Sequence, residues 1–368
     1  MLTWLEINTN NISSNIIALR KSLPKATKFI AVIKANAYGH GLLEVASAIQ
    51  NQCDYLAVFD FNDALILRKN NIKTPLFILG PTSAEQLKFA AQHDIEITVS
   101  NFETLKSVIN FKNKKPLKIH LCIDSGMGRD GFTSNDSQQL LSLLKKHKNF
   151  IIASLYAHFA AADEKRFNTY TKKQINQLLQ WQKILATINI TPPIHHSATA
   201  GTMLGYSFDI ARSGVGIYGL WASDELYQKY KNTIKLKPAL SWKAQVIEVK
   251  SLPKGSCISY GCTYKLKRDS RLAILPIGYY DGVPRSASNK AYVIIKGKKV
   301  PQLGRVTMNM IIIDVTDVKG VKVGDIATII GKEGKATITA EDWQIWANSL
   351  NYEITTRINP NMVRKVIK

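Results

Sequence analysis

The sequence predicts an α/β fold: a (β/α)8 barrel followed by a separate, mostly-β C-terminal domain. Two observations carry that expectation. From Phe29 to Tyr218, short apolar runs rich in β-branched residues alternate with longer segments of helical period, the pattern of parallel strands joined by crossover helices. After Lys231 the helical periods stop and alternating strands punctuated by turn residues take over.

In chain order, the runs that read as barrel strands are Phe29–Ile33, Tyr55–Phe59, Leu76–Leu79, Ile95–Val99, Leu117–Ile123, Ile151–Ala157, Ile194–Ser197 and Val215–Tyr218. Helices lie between them, the clearest being Asn168–Thr187. Eight strand–helix units over roughly 200 residues favour a closed barrel over an open sheet. In the second region the expected strands are Ser241–Val249, Leu272–Ile277, Ala291–Ile295, Met310–Val315 and Asp325–Ile330, with turns at Pro253-Lys-Gly255 and Lys296-Gly297. The expected domains are residues 8–231 and 232–368, the second joined by the N-terminal strand 1–7.

Composition narrows the function classes. The chain has 368 residues, a formal charge of +22 and 45% hydrophobic residues, too apolar for a disordered chain. No apolar run approaches the roughly 18 residues of a membrane-spanning helix. The N-terminus has no basic leader followed by an apolar stretch, so the cytoplasm is the expected location. The positive charge raises nucleic-acid binding, but the lysines are scattered and no recognition motif accompanies them, so no nucleic-acid or membrane partner is expected. The four cysteines, Cys53, Cys122, Cys257 and Cys262, are too few for a disulfide scaffold or a zinc knuckle; all four are expected to be reduced thiols, and no metal site is expected.

Barrel chemistry gathers at the carboxyl ends of the strands, so the residues following each run are the candidates for the site. Lys34 leaves the first strand inside Ala31-Val-Ile-Lys-Ala-Asn-Ala-Tyr-Gly-His-Gly41, where partial desolvation would lower its pKa and permit a Schiff base; a snorkelling surface lysine is the alternative. Asp124-Ser-Gly-Met-Gly-Arg-Asp-Gly-Phe132 presents Arg129 as a donor, although a tight turn also explains its glycines. His158, the pair His195-His196 and Arg212 follow or flank later strands, and each histidine could equally be a satisfied polar group. Gly214-Val-Gly-Ile-Tyr-Gly219 matches the dinucleotide fingerprint but lacks the acidic residue about 20 positions on, so it reads as a cradle for a single phosphate. Further on, Ser259-Tyr-Gly261 and Gly278-Tyr-Tyr-Asp-Gly282 place tyrosines in turns, where they could simply cap a core, and Gly304–Met310 could be an ordinary strand entry.

Taken together, and in this order, these segments resemble the bacterial alanine racemases, a family of fold-type III pyridoxal 5′-phosphate (PLP) enzymes, along essentially the whole chain. Asn351-Tyr-Glu353 matches a further family block. The resemblance implies that Lys34 holds PLP as a Schiff base and acts as the base on one face of the substrate Cα. It implies that Tyr260, contributed by the partner of a homodimer, is the base on the opposite face, assisted by a chain through His158 and Arg212. Two bases on opposite faces are what racemisation requires. Arg212 would face the pyridine nitrogen and leave it unprotonated, because a guanidinium does not give up its proton. Tyr38, Thr199, Gly214, Val215 and Tyr352 carry over as phosphate contacts, Arg129 as a donor to cofactor or substrate, and Tyr279 with Met308 as substrate-entry residues from the partner.

Three positions depart from the family pattern. Cys122 stands where many members have a carbamylated lysine that steadies Arg129, so that support must come from elsewhere; Ala198 replaces a frequent asparagine and Asn309 a frequent aspartate. The expected activity is interconversion of L- and D-alanine, supplying D-alanine for peptidoglycan. The rivals are a broader amino-acid racemase and a non-catalytic PLP carrier, the latter needing neither a second base nor a β domain.

Overall fold

The computed structural model describes residues 1–368. Two compact units emerge: residues 13–35 with 45–236, and residues 1–12, 36–44 and 237–368. No helix is long and apolar enough to cross a membrane.

Strand β1 (Thr3–Asn8) opens the chain, and eight strands of the first unit follow: β2 (Lys28–Val32), β3 (Tyr55–Val58), β4 (Leu76–Ile78), β5 (Ile95–Val99), β6 (Leu117–Cys122), β7 (Phe150–Tyr156), β8 (Ile194–His195) and β9 (Ile210–Ser213). They pair in parallel in the order β8-β7-β6-β5-β4-β3-β2-β9, a nearly closed barrel. Side chain and main chain together span the seam between β8 and β9. The Arg212 N–H donates to the Ser197 carbonyl at 3.0 Å, and the Ile194 N–H donates to the Asp209 carboxylate at 2.8 Å. The long helix expected between β7 and β8 runs Asn168–Ala186 and buries Leu178, Trp181 and Leu185 on one face.

One expected barrel strand is displaced. Val215–Tyr218 is a short 3-10 helix, and the last strand is β9, Ile210–Ser213. The apolar run misled because Gly214, at φ −108° and ψ −91°, breaks the extended path before it. The true strand escaped notice because Arg212 and Ser213 are polar yet buried, so β9 shows no apolar run.

The second unit carries β1 and then β10 (Leu240–Gln245), β11 (Glu248–Leu252), β12 (Cys257–Ile258), β13 (Tyr264–Lys265), β14 (Ser270–Leu275), β15 (Tyr292–Ile295), β16 (Lys298–Leu303), β17 (Ile311–Asp314), β18 (Ile326–Glu333), β19 (Ala336–Ile338) and β20 (Arg364–Ile367). Its main sheet follows β11-β14-β17-β16-β15-β18-β10-β1-β20, with β19 on β18; only β1 and β20 run parallel. The run Ser241–Val249 is two strands rather than one: β10 pairs with β18 and β11 with β14. Nor is the region purely β. Two helices, Ala340–Ala347 and Asn351–Thr356, follow β19, the first opened by a capping box between Thr339 and Asp342.

The expectation of four reduced thiols also fails: Cys257 and Cys262 form a disulfide, while Cys53 and Cys122 are free. Positive φ at Ser259, Gly261 and Cys262 folds the intervening turn back so that the two Cα atoms lie 4.9 Å apart, inside the usual range for a bridge. Sequence spacing cannot reveal such a turn. Beneath it, Ile258, Leu266, Leu272 and Leu303 form a buried cluster with Leu252, Tyr264 and Ile312, which anchors the β12–β13 hairpin.

Candidate active site

Lys34 stands directly beyond β2, half-buried. Burial, and then the neighbouring charges of Arg129 and Arg212, lower its pKa below the usual lysine value, with Asp130 opposing them. An amine so placed has a larger neutral fraction near pH 7, which is the form that attacks a carbonyl. The backbone that follows is unusual. Ala35, Asn36, Ala37 and Tyr38 all sit at φ between 53° and 54°, so the helical segment Lys34–Tyr38 is wound left-handed. For L-residues this costs roughly 1–2 kcal/mol per position, and it persists only where surrounding contacts over-determine it.

Those contacts are visible in the second unit. The Asn36 side-chain oxygen accepts from the Leu42 N–H at 2.8 Å, and Arg364 Nε donates to the Gly39 carbonyl at 3.0 Å. A Cβ at Gly39 would lie 1.9 Å from the Thr355 carbonyl oxygen, so only glycine fits there. Tyr38 belongs to this unit with Tyr352; burial and then the Tyr352 phenol push the Tyr38 hydroxyl up to about 12, keeping it a neutral donor.

Within the barrel unit, Thr199 Oγ1 and Ser213 Oγ are 2.9 Å apart, and the Gly216 N–H donates to Thr199 Oγ1 at 3.3 Å. Gly214 caps the 3-10 helix that begins at Val215, whose opening N–H groups have no intrahelical acceptor. A Cβ at Gly216 would sit 2.7 Å from the Thr199 side chain, so this glycine permits the close approach. Ser213 was not singled out in the sequence, although it lies inside the motif that contains Arg212.

Arg212 is fully buried at the β9 end. One guanidinium nitrogen donates to the Ala157 carbonyl at 2.7 Å and to His158 Nδ1 at 3.1 Å, and the other to His195 Nδ1 at 2.5 Å. Burial lowers its pKa to about 10, so it remains charged near neutrality. Burial, followed by Arg212, pulls both His158 and His195 well below the ordinary histidine value, which keeps both imidazoles neutral. Because a guanidinium only donates, His158 Nδ1 must accept and its Nε2 must carry the proton. His195 carried no sequence signal beyond following a strand.

Arg129 lies in the loop that Asp124 organises, its Oδ1 accepting from the N–H groups of Gly126, Met127 and Gly128. Cys122 is buried, and its thiol is pushed up to about 12 by burial and then Asp130, so it carries no charge to replace a carbamate. Support for Arg129 comes instead from the adjacent residue: Arg129 Nε donates to Asp130 Oδ1 at 2.9 Å.

The remaining site candidates are in the second unit and face solvent. Tyr260 is 70% exposed in the disulfide-closed turn, and Tyr279 and Met308 are also exposed. Their loops are tied together: the Ser259 hydroxyl donates to the Arg305 carbonyl at 2.7 Å, and the Tyr279 N–H donates to the Thr307 carbonyl at 3.0 Å. Gly278 permits that approach, since a Cβ there would meet the Thr307 and Met308 carbonyl oxygens at 2.2 and 2.3 Å.

With this geometry in view, comparison with known proteins is decisive. The alanine racemase N-terminal domain model matches residues 7–221 and the alanine racemase C-terminal domain model residues 239–366. This chain belongs to the alanine racemase family. Alanine racemase of Methylacidiphilum infernorum is 35% identical over 367 residues, 98% of this chain and 92% of that protein. The Clostridium perfringens enzyme is 37% identical, over 98% of this chain and 94% of its own length. The crystal structure of Bacillus anthracis alanine racemase with bound L-Ala-P superposes with a TM-score of 0.92 at 32% identity, covering 100% of this chain and 95% of that one. The alanine racemase of Streptomyces lavendulae gives 0.93 at 29% identity, with 100% and 97% covered.

The residues present suit the family's cofactor. An aldehyde needs a partly desolvated amine, which Lys34 provides, and a phosphate needs converging hydroxyl and backbone donors, which Thr199, Ser213 and the Gly214–Val215 turn provide. Arg212, a buried guanidinium that stays charged and only donates, suits a ring nitrogen that is to remain unprotonated.

Proposed function

We propose that this chain is a PLP-dependent alanine racemase that interconverts L- and D-alanine, works as a cytoplasmic homodimer, and supplies D-alanine for peptidoglycan. The observation that carries the reading is Lys34, whose amine is lowered by burial and by the same arginines, Arg129 and Arg212, that would face the cofactor. PLP, when bound, supplies an electron sink for the pair left at the substrate α-carbon. The chain's own residues do the rest. In one direction Tyr260 of the partner copy removes the α-proton from one face while Lys34 Nζ delivers a proton to the other, and in the reverse direction the two exchange roles.

Thr199, Ser213, Gly214 and Val215 of the barrel unit hold the phosphate, and Arg129, steadied by Asp130, binds the substrate or cofactor oxygen; Tyr38 and Tyr352, both in the other unit, are phosphate contacts by the family resemblance. His158, neutral and with its proton on Nε2, presents a donor that would stabilise a tyrosine phenolate. Exposure of Tyr260, Tyr279 and Met308 in loops tied to one another suits residues that complete a neighbouring copy's site rather than their own.

The test is incubation of PLP-loaded protein with single L-amino acids and chiral separation of the products. D-alanine far ahead of all others is expected. Comparable D-serine, D-lysine or D-arginine would replace this reading with a broad racemase, and no D product, with PLP bound, would replace it with a carrier.

A further inference from the structure

Behind Arg212, an unbroken polar chain runs through the interior of the barrel. His195 Nε2 is 2.8 Å from Ser154 Oγ, Ser154 Oγ is 2.6 Å from His120 Nδ1, and His120 Nε2 is 2.9 Å from Glu96 Oε2. Glu96 also accepts from Lys118 Nζ at 3.2 Å, and Lys118 reaches solvent. Glu96 and Lys118 are the second residues of β5 and β6, whereas Arg212 lies toward the end of β9, so the chain connects the amino end of the barrel to its carboxyl end. Glu96, His120, Ser154, His195 and Arg212 are all buried, at 3% exposure or less.

Only one proton arrangement satisfies every member. Arg212 has donors and no acceptor, and an ionised Glu96 has acceptors and no donor. The His195 Nδ1 must therefore accept from Arg212, so its Nε2–H donates to Ser154; the Ser154 hydroxyl donates to His120 Nδ1, and the His120 Nε2–H donates to Glu96. Every bond points the same way, from guanidinium to carboxylate. Aromatic rings hold the imidazoles in plane: His195 stacks on Tyr156 at 5.0 Å and 14°, His120 lies 3.8 Å from the Phe77 ring, and the Arg212 guanidinium sits over Tyr156 at 5.1 Å.

We propose that Glu96, His120, Ser154 and His195 act as positioning residues for racemisation: their directed chain gives the His195 Nε2–H its acceptor and so, from the carboxylate end, locks the same tautomer that Arg212 requires, which holds the guanidinium toward the cofactor ring nitrogen. The inference rests on the racemase reading and on Arg212 facing that nitrogen. The device places a countercharge four hydrogen bonds from the guanidinium, at the far end of the barrel, and keeps a carboxylate away from the ring. Were His195 to take its proton on Nδ1, that N–H would oppose the Arg212 N–H and push the guanidinium out of line. A misaligned Arg212 would let the ring nitrogen gain a proton, which would favour the side reaction in which the α-proton is returned to the cofactor's aldehyde carbon, water releases the alanine skeleton as its 2-oxo acid, and the aldehyde is left reduced to the amine.

Ser154→Ala breaks the chain at its centre without removing a charge. In PLP-loaded enzyme carrying 15N-histidine, long-range proton–nitrogen correlation should find His120 and His195 protonated on Nε2 in the wild type. In Ser154→Ala the His195 signal should move toward the Nδ1–H form. Conversion of the cofactor to its amine form, per racemisation turnover, should rise about tenfold, while kcat falls about tenfold and KM for alanine stays nearly constant. Glu96→Gln keeps an acceptor for His120 but not the charge, so it should retain the wild-type tautomers and show a smaller rise. A charged or Nδ1-protonated His195 in the wild type, or a folded Ser154→Ala enzyme with unchanged tautomer and unchanged partition, overturns the proposal alone. Absence of D-alanine from the wild type would overturn the racemase reading and this inference with it.

Discussion

Lys34 shows how one side chain acquires its chemistry from neighbours rather than from its own type. Desolvation and the two arginines favour the free amine, and Asp130 opposes them, so the amine is poised without being isolated from charge. Tyr260 is the opposite case, exposed on a turn held by the disulfide, the Ser259 hydrogen bond to the Arg305 carbonyl and the buried cluster below. The two residues should therefore fail differently. Lys34→Ala should lose the visible absorbance of bound PLP. Tyr260→Phe should keep the absorbance but slow exchange of the L-alanine α-proton by about 100-fold or more, leaving D-alanine exchange much less affected. Proton exchange followed by NMR for each enantiomer checks this, and equal exchange of both at wild-type rates would remove Tyr260 from its role. The lysine and tyrosine were legible in the sequence because each sits in a dense motif. Ser213 and Asp130 were not, and His195 stood out only as one of two adjacent histidines with no role attached, because these roles exist only as distances to Thr199, Arg129 and Arg212.

At the scale of elements, two local structures near the site run against intrinsic preference. The left-handed turn at Ala35–Tyr38 is maintained by hydrogen bonds and by the Gly39 approach to Thr355. Its four non-glycine residues carry no left-handed signature apart from Asn36, so propensity could not have announced it. The helix Thr199–Met203 begins at Ala198, which makes no side-chain cap. Ala198 already has the extended backbone of an N-cap, at φ −98° and ψ −167°. Ala198→Asn should therefore stabilise the protein by about 1 kcal/mol, visible as a rise in the denaturation midpoint. A lower midpoint would mean that the space around Ala198 excludes the larger side chain. Strands β2 to β7 were legible because both faces of each are largely buried and they read as apolar runs. The last strand, β9, was not, for the buried second half of it is an arginine and a serine.

For the molecule as a whole, the most general consequence concerns acid. His120, His158, His195 and His196 in the barrel unit and His40 in the other all titrate below the ordinary histidine value, with burial the leading cause; His196 falls to about 3 and His40 to about 4. As pH drops below about 6.5, the unfolded chain protonates these groups while the folded chain does not, so the unfolded state binds more protons and stability falls. Each histidine contributes a slope of up to about 1.4 kcal/mol per pH unit until its folded pKa is reached. Glu96 acts in the same direction at lower pH: despite burial, its bonds to His120 and Lys118 hold its pKa down, and that stabilisation is lost as pH falls through the folded value. Denaturant midpoints measured from pH 8 to pH 4 should be level above about 7 and decline steadily below 6.5. A midpoint unchanged between pH 7 and 5 would mean that the histidines take up protons in the folded chain as readily as in the unfolded one, and a rising midpoint that they are already charged in the folded chain.

The amino-acid sequence by itself determined the barrel and the β region, the family, and the catalytic candidates, because apolar periodicity and dense local motifs are properties of neighbours along the chain. The placement of β9, the Cys257–Cys262 bridge, the left-handed turn and the polar chain from Arg212 to Glu96 were decided by tertiary structure alone. The polar chain shows the reason: a buried polar side chain is stable only where its hydrogen-bond partners converge, and these partners, on five different strands of the barrel, are separated from one bonded neighbour to the next by up to 41 residues.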